Sequence, residues 1–133
     1  MDSIIVAFAT DDGKTFMDRH FGEADFYDIY EVLEDGANFV KRIDNTADEE
    51  EGVHASPEKA KGVAHLLKRE NVRVAVSKFF GPNIERIKRK FVCVLMDDAS
   101  LDEAMKKFRK NLELIYDEWA KGEEREYISL KNK

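Results

Sequence analysis

The stretch that decides the fold is residues 9–31, ATDDGKTFMDRHFGEADFYDIYE, together with the apolar run that feeds it. Residues 4–9, IIVAFA, are continuously apolar, as expected of a central strand buried on both faces. They pass straight into Thr10-Asp11-Asp12-Gly13, a polar turn with glycine where a positive φ suits it. A second, aromatic-rich apolar run opens at Phe26. Two successive strands need only a few residues between them. A loop this long, with His20-Phe21-Gly22 in it, is therefore expected to carry function as well as turn the chain.

Working outward, residues 26–34 and 38–43 flank Asp35-Gly36, the signal of a β-hairpin. Residues 44–55, DNTADEEEGVHA, are acidic and poor in apolar groups, and read as a mobile loop. Ser56-Pro57 predicts a helix start, with Ala60, Val63, Ala64 and Leu67 as its buried stripe and an end near Glu70-Asn71. Residues 73–77 read as a short strand. Gly81-Pro82 repeats the helix-start logic, with Ile84 and Ile87 turned inward, and residues 91–96 form a further apolar strand. Ser100-Leu101-Asp102-Glu103 is a capping box. Leu101, Ala104, Met105, Phe108, Leu112, Ile115 and Trp119 follow at spacings of three and four, which predicts one long helix ended by Gly122. The order of strand, hairpin, helix, strand, helix, strand and helix implies a mixed sheet with helices on its faces. It fits a single α/β domain over residues 1–121 with a charged, loose tail over 122–133.

Composition narrows the function classes. At 133 residues the chain can bury a sizeable core without staples. The 43% hydrophobic and 38% charged shares describe a soluble globular protein. A net charge of −6 gives a nucleic-acid partner no help. Cys93 is the one cysteine, which excludes an internal disulfide and an all-cysteine cluster site within one chain. No apolar run approaches the roughly 18 residues of a membrane span, and the start lacks a basic region, so a cytoplasmic location with no membrane partner is expected.

Two groups of residues also carry a resemblance. Ala9-Thr10-Asp11-Asp12-Gly13-Lys14, then His20-Phe21-Gly22-Glu23-Ala24 and Phe26-Tyr27-Asp28-Ile29-Tyr30-Glu31, followed by Phe80-Gly81-Pro82-Asn83, resemble the dinitrogenase iron–molybdenum cofactor biosynthesis family (NifX/NafY-type domains). The resemblance spans roughly residues 2 to 110. It implies a three-layer ribonuclease-H-like α/β fold with a five-stranded mixed sheet flanked by helices. That name describes topology and says nothing of nuclease activity. It also implies a histidine near His20 presented to an iron-containing cofactor.

His20 is the first candidate ligand, because neutral imidazole is a versatile metal donor and a loop position leaves it free to reach a cluster. The plainer role is a loop histidine that hydrogen-bonds the backbone. Phe21 and Gly22 flank it. His54 precedes the helix expected at Pro57, where free amides favour anions. Family members resemble one another in a His-Gly-His-Gly stretch there. This chain has Gly52-Val53-His54-Ala55-Ser56, one possible ligand where two are expected, beside the acid run of residues 48–51. Gly81 and Pro82 lie where a strand gives way to a helix, a place where α/β sheets bind ligands, though neither the Walker nor the dinucleotide glycine spacing is present. His65 reads as a surface or boundary residue and Cys93 as a small core hydrophobe. Asp11-Asp12 and Asp97-Asp98 suit turns and a helix start better than a two-metal site. Trp119 and Tyr116 could extend a partner surface, though such a stripe more commonly packs a core.

These residues support a small non-catalytic binding protein that resembles carriers of iron–molybdenum or iron–sulfur cofactor precursors. On that reading His20 and His54 are the metal ligands, with Phe21, Gly22, Gly81 and Pro82 around them, and cluster-assembly proteins are partners. The alternative is an interaction or regulatory domain that kept the fold and lost the cluster. A metal-dependent hydrolase acting through Asp11 is the third reading.

Overall fold

Strand β1 (Ile4–Thr10) is buried along almost its whole length and lies inside the sheet, as a continuous apolar run requires. The computed structural model describes residues 3–45 and 57–131, with side chains from residue 62 onward in the second segment. After β1 come β2 (Phe26–Leu33) and β3 (Gly36–Asp44), then helix α1 (Pro57–Arg69) and β4 (Val74–Ser77). The chain continues through α2 (Ile84–Ile87), β5 (Val92–Leu95), α3 (Leu101–Lys110), α4 (Leu112–Trp119) and β6 (Ile128–Ser129). The sheet order is β3-β2-β1-β4-β5-β6. β1, β2 and β3 pair antiparallel, and β1, β4, β5 and β6 run parallel.

Side chains alternate between two cores, one on each face of the sheet. Val6, Phe8, Val74, Val76, Val92 and Val94 face α3 and α4, where Leu101, Ala104, Phe108, Leu112 and Ile115 meet them. Ala7, Ala9, Ile29, Ala75 and Cys93 face the other way, onto Val63, Ala64 and Leu67 of α1 and Ile87 of α2. The expected α/β sandwich of helices around a mixed sheet is what forms.

Three details differ from expectation. The sheet has six strands, not five, because Ile128 and Ser129 pair with Val94 and Leu95 and the Leu130 amide donates to the Leu95 carbonyl at 2.8 Å. Residues past Gly122 read as a loose tail because charges outnumber apolar groups there; yet Ile128 and Leu130 are buried against the α3/α4 core. The long helix expected from Leu101 to Trp119 is broken at Asn111, which leaves helical backbone angles and whose Nδ2 donates to the Lys107 carbonyl at 2.8 Å. The apolar spacing continues through the break, so periodicity could not show it. The Gly122 stop is instead a short 3-10 turn, Gly122–Glu124, three residues beyond the helix end. Trp119 is half-buried, packed on the α3/α4 core between the guanidinium groups of Arg125 (4.1 Å) and Arg73 (5.2 Å). Core packing accounts for it.

β1 and β4 are parallel neighbours whose following connections diverge, β1 toward β2 on one side and β4 toward β5 on the other. This is the topological switch point of an open α/β sheet, and ligands bind at the carboxyl ends of strands in that position. The loop over residues 11–25 and the turn over 78–83 both leave from there.

Candidate functional site

The first half of the loop is held by its own polar side chains. Thr10, buried at the end of β1, donates through Oγ1 to the Thr15 carbonyl (2.8 Å) and accepts from the Gly13 amide (2.9 Å). Asp12 accepts from the Lys14 and Thr15 amides at 2.8 and 2.9 Å and from the Thr15 hydroxyl at 2.9 Å. The two amides, Lys14 before Thr15, and then the hydroxyl favour the charged carboxylate and hold Asp12 down at a pKa of about 2. Gly13 sits at φ +77, over the Asp28–Arg42 ion pair, where a side chain would strike Arg42. Asp11 ties the loop's two ends together: it pairs with Arg19 and accepts from the Asp25 amide at 2.9 Å. Asp98, at the start of α3, pairs with Lys107 at 3.0 Å. Asp11 and Asp12 thus hold the loop together, and Asp98 ties the approach to α3 to a lysine within that helix.

The second half is held by the turn after β4. His20 and Phe79 form an isolated parallel bridge, with the Phe21 amide donating to the Phe79 carbonyl at 2.8 Å. Bridged residues point to one side and their successors to the other. Phe21 and Phe80 accordingly turn inward, both buried, and stack at 5.1 Å with 20° between the rings. His20 and Phe79 are left outward; the His20 side chain is 42% exposed and Phe79 40%. One alternation makes an anchor below and a presented pair above.

Below the loop, the Tyr27 hydroxyl donates to the Phe21 carbonyl at 2.7 Å. Asn45 Nδ2 donates to the Gly22 and Ala24 carbonyls at 2.8 and 2.9 Å. The stretch from His20 to Ala24 is therefore clamped at one backbone amide and three carbonyls by residues from three different segments.

The His20 ring lies against Gly81. Gly81 has φ +72, and a Cβ there would come within 2.7 Å of both Cε1 and Cγ of the imidazole and closer still to Nδ1. Glycine is thus required twice, for its backbone angle and for the room it leaves. Nδ1 is buried and 3.3 Å from Glu23 Oε1, an ion-pair distance without the alignment of a hydrogen bond. Nδ1, Cγ and Cε1 are the ring atoms nearest Gly81, while the side chain as a whole is 42% exposed. The same Glu23 Oε1 accepts from the His20 backbone amide at 3.3 Å, so one carboxylate closes the turn beside the ring.

The structure thus brings His20 and Gly81 together, with Gly22 in the same turn as His20 and Pro82 exposed after Gly81. Phe21 does not present its ring: it is fully buried and supports His20 from beneath. The helix expected at Gly81 is a 3-10 turn, Gly81–Asn83, running into four residues of α2, too short to build a macrodipole. His54 and Ser56 lie outside the described residues. His65 is exposed on α1, and Cys93 is fully buried, its thiol pKa pushed up by desolvation. Sequence reasoning missed Asn45, whose role depends on where β3 ends, and the outward pairing of Phe79 with His20. The two-residue alternation of His20-Phe21 against Phe79-Phe80 carried the latter signal.

Among the described residues no three or more His, Cys, Asp or Glu side chains converge as a metal site, and no helix is long and apolar enough to cross a membrane. No curated protein matches the sequence. A crystal structure from Methanocaldococcus jannaschii, described as a "putative dinitrogenase" and solved at 1.70 Å, is similar in fold, with a TM-score of 0.59 and 17% identity over 84% of this chain and 92% of that one. The family model for the dinitrogenase iron–molybdenum cofactor matches residues 2–111, which contain the His20 loop, the Gly81 turn and five of the six strands. The chain belongs to the dinitrogenase iron–molybdenum cofactor family.

Proposed function

We propose that this protein is a non-catalytic carrier that takes a preassembled iron–molybdenum or iron–sulfur cluster as cargo, with His20 supplying one ligand. The observation that carries the reading is the presentation of His20. Its ring is seated on Gly81, its backbone is bridged to Phe79, and its side chain is 42% exposed although Nδ1 is buried, which leaves Nε2 as the nitrogen to reach a ligand. A single imidazole suits a cluster whose other valences are already filled, whereas tight sites for a bare ion use three or four protein ligands. Membership of the family supports the class of cargo. Gly22, Gly81 and Pro82 would form the floor around the ring, and His54 would add a second donor. Cluster-assembly proteins would load and unload it, in the cytoplasm.

Anaerobic purification with iron and molybdenum analysis, followed by titration with isolated iron–molybdenum cofactor, tests the proposal. The wild type is expected to bind the cofactor and to ignore free Fe²⁺. His20→Ala should lose cofactor binding while stability changes by less than about 1 kcal/mol, as for a half-exposed loop residue whose ring makes no hydrogen bond among the described residues. Binding should weaken in acid, because a protonated imidazole has no lone pair to donate. Unaltered binding in His20→Ala would overturn His20 as the ligand. Failure of the wild type to bind would favour the second reading, an interaction domain of the same fold without a cluster, which the Val53-His54-Ala55 departure supports.

A further inference from the structure

The outward pair His20–Phe79 has a third neighbour that comes from the far end of the chain. β6 runs parallel to β5, and the Leu130 amide bonds the Leu95 carbonyl at 2.8 Å, which carries the next residue, Lys131, toward the carboxyl ends of the parallel strands. There the Lys131 ammonium sits 4.7 Å from the centre of the exposed Phe79 ring. Lys78 approaches the same ring at 5.8 Å, but its charge is matched by Asp18 at 2.5 Å. Lys131 has no carboxylate partner among the described residues. Leu130 beside it is fully buried, so the ammonium is delivered by a packed strand.

The charge balance makes this placement matter. The chain carries a net charge of −6, and Glu23 stands 3.3 Å from His20 Nδ1. A negatively charged cargo approaching Nε2 would therefore meet a repelling field unless a cation stood on the outer side of the site. An ammonium held over an aromatic face keeps its charge while being partly desolvated, which strengthens its pull on an anion at close range. Lys131 lies outside residues 2–111, over which the family model matches.

We infer that Lys131, held on Phe79 by the C-terminal strand, is a specificity-determining residue that selects net-negative cargo at the His20 site. The inference rests on the carrier reading above and adds to it the charge class of the cargo and the part of the chain that recognises it. It also makes β6 an element of the site as well as of the sheet.

The test is anaerobic titration of the full chain with isolated iron–molybdenum cofactor at two salt concentrations, comparing wild type, Lys131→Gln, Lys131→Arg and Phe79→Leu. Removing one partly exposed charge should weaken binding roughly five-fold at low salt, with the difference shrinking at high salt. Lys131→Arg should restore wild-type affinity and its salt dependence, and Phe79→Leu should show a smaller loss of the same salt-sensitive kind. Thermal melts of the variants should superimpose, because Lys131 lies at the surface end of the strand. Equal affinity for wild type and Lys131→Gln at both salt concentrations would overturn the inference and leave the carrier reading standing. A loss that is indifferent to salt, or that arginine does not rescue, would also overturn it. A wild type that binds no cofactor overturns both.

Discussion

Phe21 and Phe80 stack at 5.1 Å beneath the bridge that joins their neighbours His20 and Phe79, so the presented pair and its buried anchor are successive residues on two segments bridged in parallel. The anchor is deep: both phenylalanines belong to the α1/α2 core, and Phe21 also contacts Tyr27 at 5.0 Å. Loop position and core packing are thereby coupled.

That coupling predicts that Phe21→Ala will cost about 3–5 kcal/mol of stability, the range for emptying a buried phenylalanine site. A double-mutant cycle between Phe21 and Phe80 should show a coupling of about 0.5–1.5 kcal/mol beyond the separate losses. Urea unfolding of the two single variants and the double variant measures both. Strictly additive losses would mean that the stack contributes nothing of its own.

Gly81→Ala should be harmful for two separable reasons. Alanine at φ +72 is strained by about 1–3 kcal/mol. Its Cβ would also drive the His20 ring from its seat, since Cε1 and Cγ would lie 2.7 Å away. The expected outcome is a lower unfolding midpoint, a shifted His20 ring resonance by NMR, and lost cofactor binding although His20 is still present. An unshifted resonance would show that the ring does not rest on Gly81.

Asp12 should shape the acid limb of the stability curve. Its folded-state pKa of about 2 lies below the ordinary aspartate value near 3.9, so its contribution is fully present above that value and is lost as pH falls toward 2. The group is exposed, so the effect is modest. Denaturant midpoints measured from pH 5 down to about pH 2 should fall less steeply for Asp12→Asn than for wild type. Parallel slopes would mean that the turn does not depend on the charge.

Leu130→Ala tests the sixth strand. A fully buried leucine in the main core should cost about 2–5 kcal/mol, and the amide that bonds the Leu95 carbonyl should exchange faster with solvent. An unchanged midpoint would place the C-terminal segment outside the cooperative fold.

By itself the sequence determined the elements whose cause is local. Residues 4–9 are apolar throughout because β1 is covered on both faces, Asp35-Gly36 closes the hairpin, and Ser100 caps α3 by accepting from the Glu103 amide at 3.1 Å. It also marked His20 and Gly81 as residues worth watching, since a histidine in an overlong loop and a glycine after a strand are visible as text. What only the tertiary structure decided is what depends on chain crossing. The helix break at Asn111 interrupts no hydrophobic period, the Asn45 clamp needs the end of β3 to lie beside the His20 turn, and β6 is two residues whose pairing partner lies more than thirty positions away. Lys131 is the extreme case. Read in sequence it is one more charge in a polar tail, and its position over Phe79 exists only because burial of Ile128 and Leu130 outweighs the polarity around them.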